Sequence, residues 1–113
     1  MQRKRGTITP LEASILETAL DFATSGDDEF HGFLLARRMK ERQGALFRTA
    51  YGPLYKALDR MSDNGLLQSR WEDPEAAALE RRPRRCLYRV TAAGQGALDA
   101  HLAGRPVIMP AEG

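Results

Sequence analysis

One cysteine and two histidines are all the thiol and imidazole groups that this 113-residue chain offers. Cys86 has no second thiol to pair with, so an intramolecular disulfide is excluded, and within a strand-like run it reads as a small core residue. His31 and His101 stand in different segments without a partner motif, and a catalytic site needs convergent groups. Asp27, Asp28, Glu29 and His31 follow no standard ligand spacing, so they read as an acidic, solvated loop. No Gly-x-Gly-x-x-Gly turn is present, since Gly94 and Gly96 follow a helix cap. No apolar run approaches the roughly 20 residues needed to cross a bilayer, and a reducing cytoplasm fits the cysteine usage. The basic start MQRKRG leads into no apolar signal core, so it is expected to stay as an arm. An enzyme, a cofactor and a metal site are all disfavoured.

What the chain does contain is enough apolar material, 42% of its residues, for one ordinary core. Its 17 basic and 15 acidic side chains leave a net charge of +2, which by itself selects no partner. Their distribution is more informative. Arg81, Arg82, Arg84, Arg85 and Arg89 crowd one short stretch, and Arg3, Lys4 and Arg5 another.

The first helix announces itself in TPLE, residues 9–12, where Thr9 is placed to cap, Pro10 to open the first turn and Glu12 to close a capping box. Ile8, Leu11, Ile15, Ala19 and Phe22 recur at helical spacing, and Leu16, Leu20 and Ala23 widen the stripe beyond one contact face. SGDDE breaks the pattern. A second helix is predicted from about Phe30 to Gln43, carrying Phe33, Leu35, Ala36 and Met39 inward and Arg37, Arg38, Lys40 and Arg42 outward, with Gly44 as its stop.

A short connector, residues 44–49, then leads into a third helix over residues 51–63, the spacing of a helix-turn-helix. Leu54, Leu58 and Met61 fall on one side, with Tyr55 at the edge, and Gly52, Pro53, Lys56 and Arg60 on the other. Gly52 removes bulk at the helix tip, and Pro53 is tolerated in a first turn. Asn64-Gly65 supplies a left-handed stop. Leu66 to Glu72 and Cys86 to Val90 read as paired strands across a long basic loop, and Thr91 caps a closing helix, about Ala92 to Ala103. The fold class is therefore mainly α with a small β-hairpin, a winged helix-turn-helix of order α-α-α-β-wing-β-α, in which the third helix suits a DNA major groove and the wing its flank. Residues 1–7 form a basic arm, 8–103 the domain, and 104–113 a tail.

GPLYKALDRMSDNGLL, then WEDPE, then RRPRRCLYRVTAAGQGAL also resemble the PadR transcriptional regulators, in whose pattern a Gly-x-Leu-Tyr helix, a Trp-Glu strand and an Arg-Pro-Arg wing edge follow in this order. The resemblance covers about residues 8–103. It implies a DNA-binding regulator, most often a repressor, acting on double-stranded DNA. The short subgroup, which has no separate C-terminal helical domain, usually dimerises through its first and last helices, and some members sense a small apolar or aromatic effector. Two departures stand out. Arg81 occupies a place where the family often has glycine, which adds charge and removes flexibility, and Gly94 and Gly96 are expected to interrupt the last helix at about 1 kcal/mol each.

In this fold Lys56 and Arg60 become candidate base or phosphate contacts, an arginine fork suiting guanine O6 and N7. Arg81, Arg82, Arg84 and Arg85 become candidate backbone or minor-groove contacts, although an ordinary solvated loop shows the same composition. Thr49, Tyr51, Gly52, Pro53 and the Tyr55 hydroxyl complete the expected interface. Trp71 reads as structure packed beneath the wing. Leu11, Ile15, Leu16, Leu20, Leu98 and Leu102 exceed what one small core needs, so they are the expected surface of a homodimer. The alternative from another class is a winged-helix module that holds a protein partner and binds no operator.

Overall fold

A computed structural model describes residues 8–44 and 50–104 of the chain. The basic arm and most of the tail lie outside the described residues.

Helix α1, Pro10–Thr24, starts where the capping box predicts. The Glu12 amide donates to Thr9 Oγ1 at 3.1 Å, and the Thr9 amide donates to Glu12 Oε1 at 2.8 Å, so two amides that lack helical acceptors are satisfied reciprocally. Its apolar stripe buries Ile15, Leu16, Ala19 and Phe22. The next segment departs from expectation. Phe30 and His31 do not begin a helix but form a two-residue strand, β1 (Phe30–His31), and α2 runs Gly32–Gln43. Phe30 stacks between Phe22 and Tyr88, with centroids 6.0 and 5.8 Å away, and that burial favours the extended backbone. His31 then caps α2, its Nδ1 accepting from the Leu34 amide at 3.3 Å.

Helix α3, Tyr51–Asp63, matches its predicted span. Leu54, Ala57, Leu58 and Met61 are fully buried at its inner side, and Gly65 takes the chain round at φ 79°. Strand β2, Leu67–Trp71, and strand β3, Cys86–Val90, pair antiparallel from Leu67 opposite Val90 to Trp71 opposite Cys86. Between them stands a short helix, α4 (Pro74–Leu79), where an open loop was expected; Asp73 caps it and Pro74 opens it. β1 adds to the free edge of β3, with Phe30 opposite Tyr88, so the hairpin becomes a three-stranded sheet of order β1-β3-β2.

Helix α5, Ala92–Ala103, runs through both of its glycines without interruption. Thr91 caps it, accepting from the Gly94 amide at 3.0 Å while its hydroxyl donates to the Gly65 carbonyl at 2.6 Å. Gly94 is there for close approach, because a Cβ at that position would lie 2.2 Å from the Leu66 carbonyl oxygen.

The surplus of leucines is smaller than the sequence suggests. Ile15 and Leu16 are wholly buried and Leu98 is 3% exposed, all in the core of the single chain, because α1 packs against α2, α3, α5 and β3 at once. These three are not free to make an interface. Leu11 and Leu20 are half-buried and Leu102 is exposed, so only they, of the six, face outward. Among the described residues, no helix is long and apolar enough to cross a membrane.

The two α5 glycines separate packing from propensity. Gly94→Ala gains about 1 kcal/mol of helix propensity but overpacks against a backbone carbonyl, a cost of about 1–3 kcal/mol, so urea unfolding should show a net loss. Gly96→Ala meets nothing within 4 Å and should gain up to about 1 kcal/mol.

Candidate nucleic-acid interface

The front of α3 is unlike the other helix starts. Thr9, His31, Asp73 and Thr91 supply side-chain caps to the other helices, but Ala50 supplies none to α3. Among the described residues no side chain caps its first amides, and helix-start amides of this kind suit an anion such as a phosphate. Tyr51, Gly52, Pro53 and Lys56 are all exposed there, and nothing lies within 4 Å of where a Gly52 Cβ would stand, so the tip is slim. Thr49 lies outside the described residues.

Tyr55 sits at the core edge as expected, 40% exposed. A Cβ on Gly32 would fall 2.4 Å from its ring, so glycine at the start of α2 is what lets α3 come this close. Burial first, and Tyr51 second, raise the pKa of the Tyr55 hydroxyl, which keeps it a hydrogen-bond donor at neutral pH. Phe33, expected in the core, is instead 52% exposed. It stacks with His31 and Tyr51, and Tyr51 with Tyr55, with centroids 6.2 to 6.4 Å apart, so a row of rings runs from α2 to α3. The helical wheel held the signal: Phe33 is about 200° from Leu35, off the stripe that Leu35, Ala36 and Met39 define.

Lys56 is an exposed cation, whereas Arg60 is only partly exposed and is paired. The Arg60 Nε donates to Glu12 Oε2 at 2.6 Å, and while Arg60 keeps 41% of its side-chain exposure, Glu12 keeps 1%. The partners are 48 residues apart, beyond any local sequence signal.

The cationic run of the wing divides in the same way. Arg82 is turned inward: its terminal nitrogens donate to the two Glu72 oxygens at 2.6 and 2.8 Å and its Nε to Glu80 at 2.8 Å. The Arg82 bonds, with the Arg85 amide also donating to Glu72, hold the Glu72 carboxyl down at about 2. Arg81, Arg84 and Arg85 remain exposed. Arg81 adopts φ 56°, the left-handed conformation that glycine takes most readily, so the charge stands on a backbone shape ordinarily reserved for another residue. Trp71 is not beneath the wing. It is 60% exposed, with the Arg84 guanidinium 5.6 Å from its ring centroid.

Between α2, α3 and the wing lies a cleft of about 410 Å³, lined by His31, Phe33, Tyr55, Trp71, Arg84 and Tyr88 among others. Burial, then Arg85 and Arg82, lowers the His31 pKa, which keeps the ring neutral and able to cap α2 at pH 7. Among the described residues, no group of three or more His, Cys, Asp or Glu is placed to hold a metal ion.

The family model described as "Transcriptional regulator PadR-like family" matches residues 23–100. A search of curated proteins found no match. Among solved structures, a transcriptional regulator from Clostridium thermocellum is 19% identical, with a TM-score of 0.65 over 88% of this chain and 82% of that one. Bacillus subtilis PadR in complex with operator DNA is also 19% identical, with a TM-score of 0.67; the match spans 90% of this chain but only 52% of that one. A PadR family regulator from Clostridium difficile is 20% identical, with a TM-score of 0.63 over 84% and 85% of the two chains. At these identities the likeness is one of fold.

The wing clamp predicts a pH response. Folding favours the charged form of Glu72, so its contribution is complete above the ordinary carboxylate value of 4.5 and is lost as pH falls toward about 2. Carbon NMR of the Glu72 carboxyl should give a midpoint near 2, whereas a midpoint near 4.5 would mean that Arg82 does not hold it.

Proposed function

The chain belongs to the PadR-like family of transcriptional regulators, and from that we propose that it is a sequence-specific repressor binding duplex DNA as a homodimer in the cytoplasm. The observation that carries the reading is the pairing of an uncapped, slim α3 tip bearing Lys56 with an exposed cationic wing edge. Lys56 enters the major groove with the α3 tip, Tyr51 and the Tyr55 hydroxyl meet the adjacent phosphates, and Arg81, Arg84 and Arg85 follow the flanking backbone. Arg82 braces the wing. Thr49, two positions before α3 in the sequence, is kept in the interface on its sequence position. For dimerisation, Leu11, Leu20 and Leu102 give α1 and α5 an outward apolar surface, and a two-fold arrangement presents two recognition helices to one duplex. The cleft beside α3 has the room and the rings for a small apolar or aromatic effector.

A second reading draws on one observation. Phe33, Tyr51, Tyr55 and Trp71 are exposed together, as aromatic anchors of a protein interface are, and a module that holds a protein partner accounts for them without DNA.

Selection from a random duplex library separates the two. A recoverable binding sequence is expected, with affinity falling by about 0.9 log units per log unit of salt for each phosphate contact. Arg84→Ala should weaken all duplexes and reduce that slope by about 1. A folded protein that retains no duplex at low salt favours the protein-binding module.

Assembly has its own test. Leu102→Glu should shift the sedimenting species toward the 12.6 kDa monomer and weaken DNA binding with it, while leaving the monomer fold intact because Leu102 is exposed. A wild-type protein that sediments only as a monomer at micromolar concentration contradicts the dimer.

A further inference from the structure

Arg60 contacts Glu12 in an unexpected way. A guanidinium that only neutralised a buried carboxylate would gain most by turning its two terminal amino groups onto the two oxygens, as Arg82 does with Glu72. Arg60 offers Glu12 its Nε alone, at 2.6 Å. The other Glu12 oxygen is occupied by the Thr9 amide at 2.8 Å, so the carboxylate is fixed from the α1 side as well. The Glu12 side chain is 1% exposed and that of Arg60 41% exposed, and among the described residues the terminal nitrogens of Arg60 make no hydrogen bond. One turn before Arg60 on α3 stands the exposed Lys56.

We propose that Glu12 is a positioning residue for sequence readout: it grips the Nε edge of Arg60 and presents the two terminal amino groups, coplanar and already oriented, to a guanine edge. The proposal rests on the DNA-binding reading above. A long arginine side chain ordinarily loses rotamer freedom when it binds, and one locked beforehand loses less. The end-on fork that remains matches guanine O6 and N7. Glu12 also lies against the Arg60 charge, which weakens the pull of Arg60 on phosphates in general and leaves its effect mainly in discrimination.

The test uses the full-length wild type, Glu12→Gln and Arg60→Lys, each measured against a library-selected duplex and a scrambled one at two salt concentrations. Glutamine can still accept the Thr9 amide, so the α1 cap is kept while the charge and the grip on Nε are lost. Glu12→Gln should lower the preference for the selected duplex by about tenfold, with scrambled-duplex affinity unchanged or higher. Arg60→Lys should lose the preference similarly, since an ammonium has no fork. Equal weakening on both duplexes, or a preference that survives in either variant, overturns the proposal. Because Glu12→Gln can fail to fold, arginine-15N NMR of the wild type supplies an independent readout. The Arg60 Nε–H signal should stay in place on adding the selected duplex while its terminal nitrogen signals move. Movement of Nε–H, or still terminal signals, overturns the proposal, and a shift that the scrambled duplex produces equally assigns Arg60 to phosphate. A wild type that binds no duplex at all instead removes the DNA-binding reading beneath it.

Discussion

A carboxylate with 1% of its surface exposed must have its charge and its lone pairs answered from within the protein, and Glu12 draws two otherwise separate segments together to meet that requirement. Through one oxygen it closes the α1 cap, and through the other it receives Arg60 from α3. The start of the first helix and the outer side of the third are therefore bound by one charged group. Removing Arg60 takes one ionic contact from a carboxylate with almost no access to water, which is more costly than losing an exposed pair. The position of α3 relative to α1 inherits the precision of a short ionic contact, beyond the looser fit of the apolar core below it.

Packing carries the rest of the framework. Phe22, Phe30 and Tyr88 stack in sequence from α1 through β1 to β3, and Leu54, Leu58 and Met61 seat α3 on the same core. Two glycines set the distances: Gly32 admits the Tyr55 ring, and Gly94 admits the Leu66 carbonyl. On the wing, Glu72 gathers Arg82 and the Arg85 amide, so a densely charged loop has an internal scaffold and only part of its charge faces outward.

Local chemistry was legible in the sequence, and long-range pairing was not. The α1 capping box, the span of α3, the Asn64-Gly65 turn and the Thr91 cap each rest on neighbouring residues, and each stands where the local rules put it. β1 escaped because two residues carry no period and their partner, β3, is more than fifty positions away. Helix α4 was hidden in a stretch read as an open loop, although Asp73 and Pro74 are a cap and first-turn pair of the kind recognised at Thr9 and Pro10. Charge was the weakest guide of all. A row of arginines in the sequence does not tell which are turned toward acids, and Arg60 and Arg82 proved to be spoken for, with Trp71 outside instead of within. Likewise a surplus of leucines counts as surplus only once the number of packed faces is known, and α1 has more of them than its wheel suggested.

Strand β1 is only two residues long, yet it joins the first turn of α2 to the middle strand of the sheet from which the wing extends. Cα partners Phe30–Tyr88 and His31–Leu87 act as a strut between the helical half and the wing, so the distance from the α3 tip to the cationic edge is braced by backbone pairing. For a duplex bound as proposed, that fixed span works as a caliper. A sequence whose grooves already have the matching width is gripped at no further cost, and one that does not must bend, with a deformation energy set by its own stiffness. Part of the choice of operator would then be exercised at base pairs that no side chain touches.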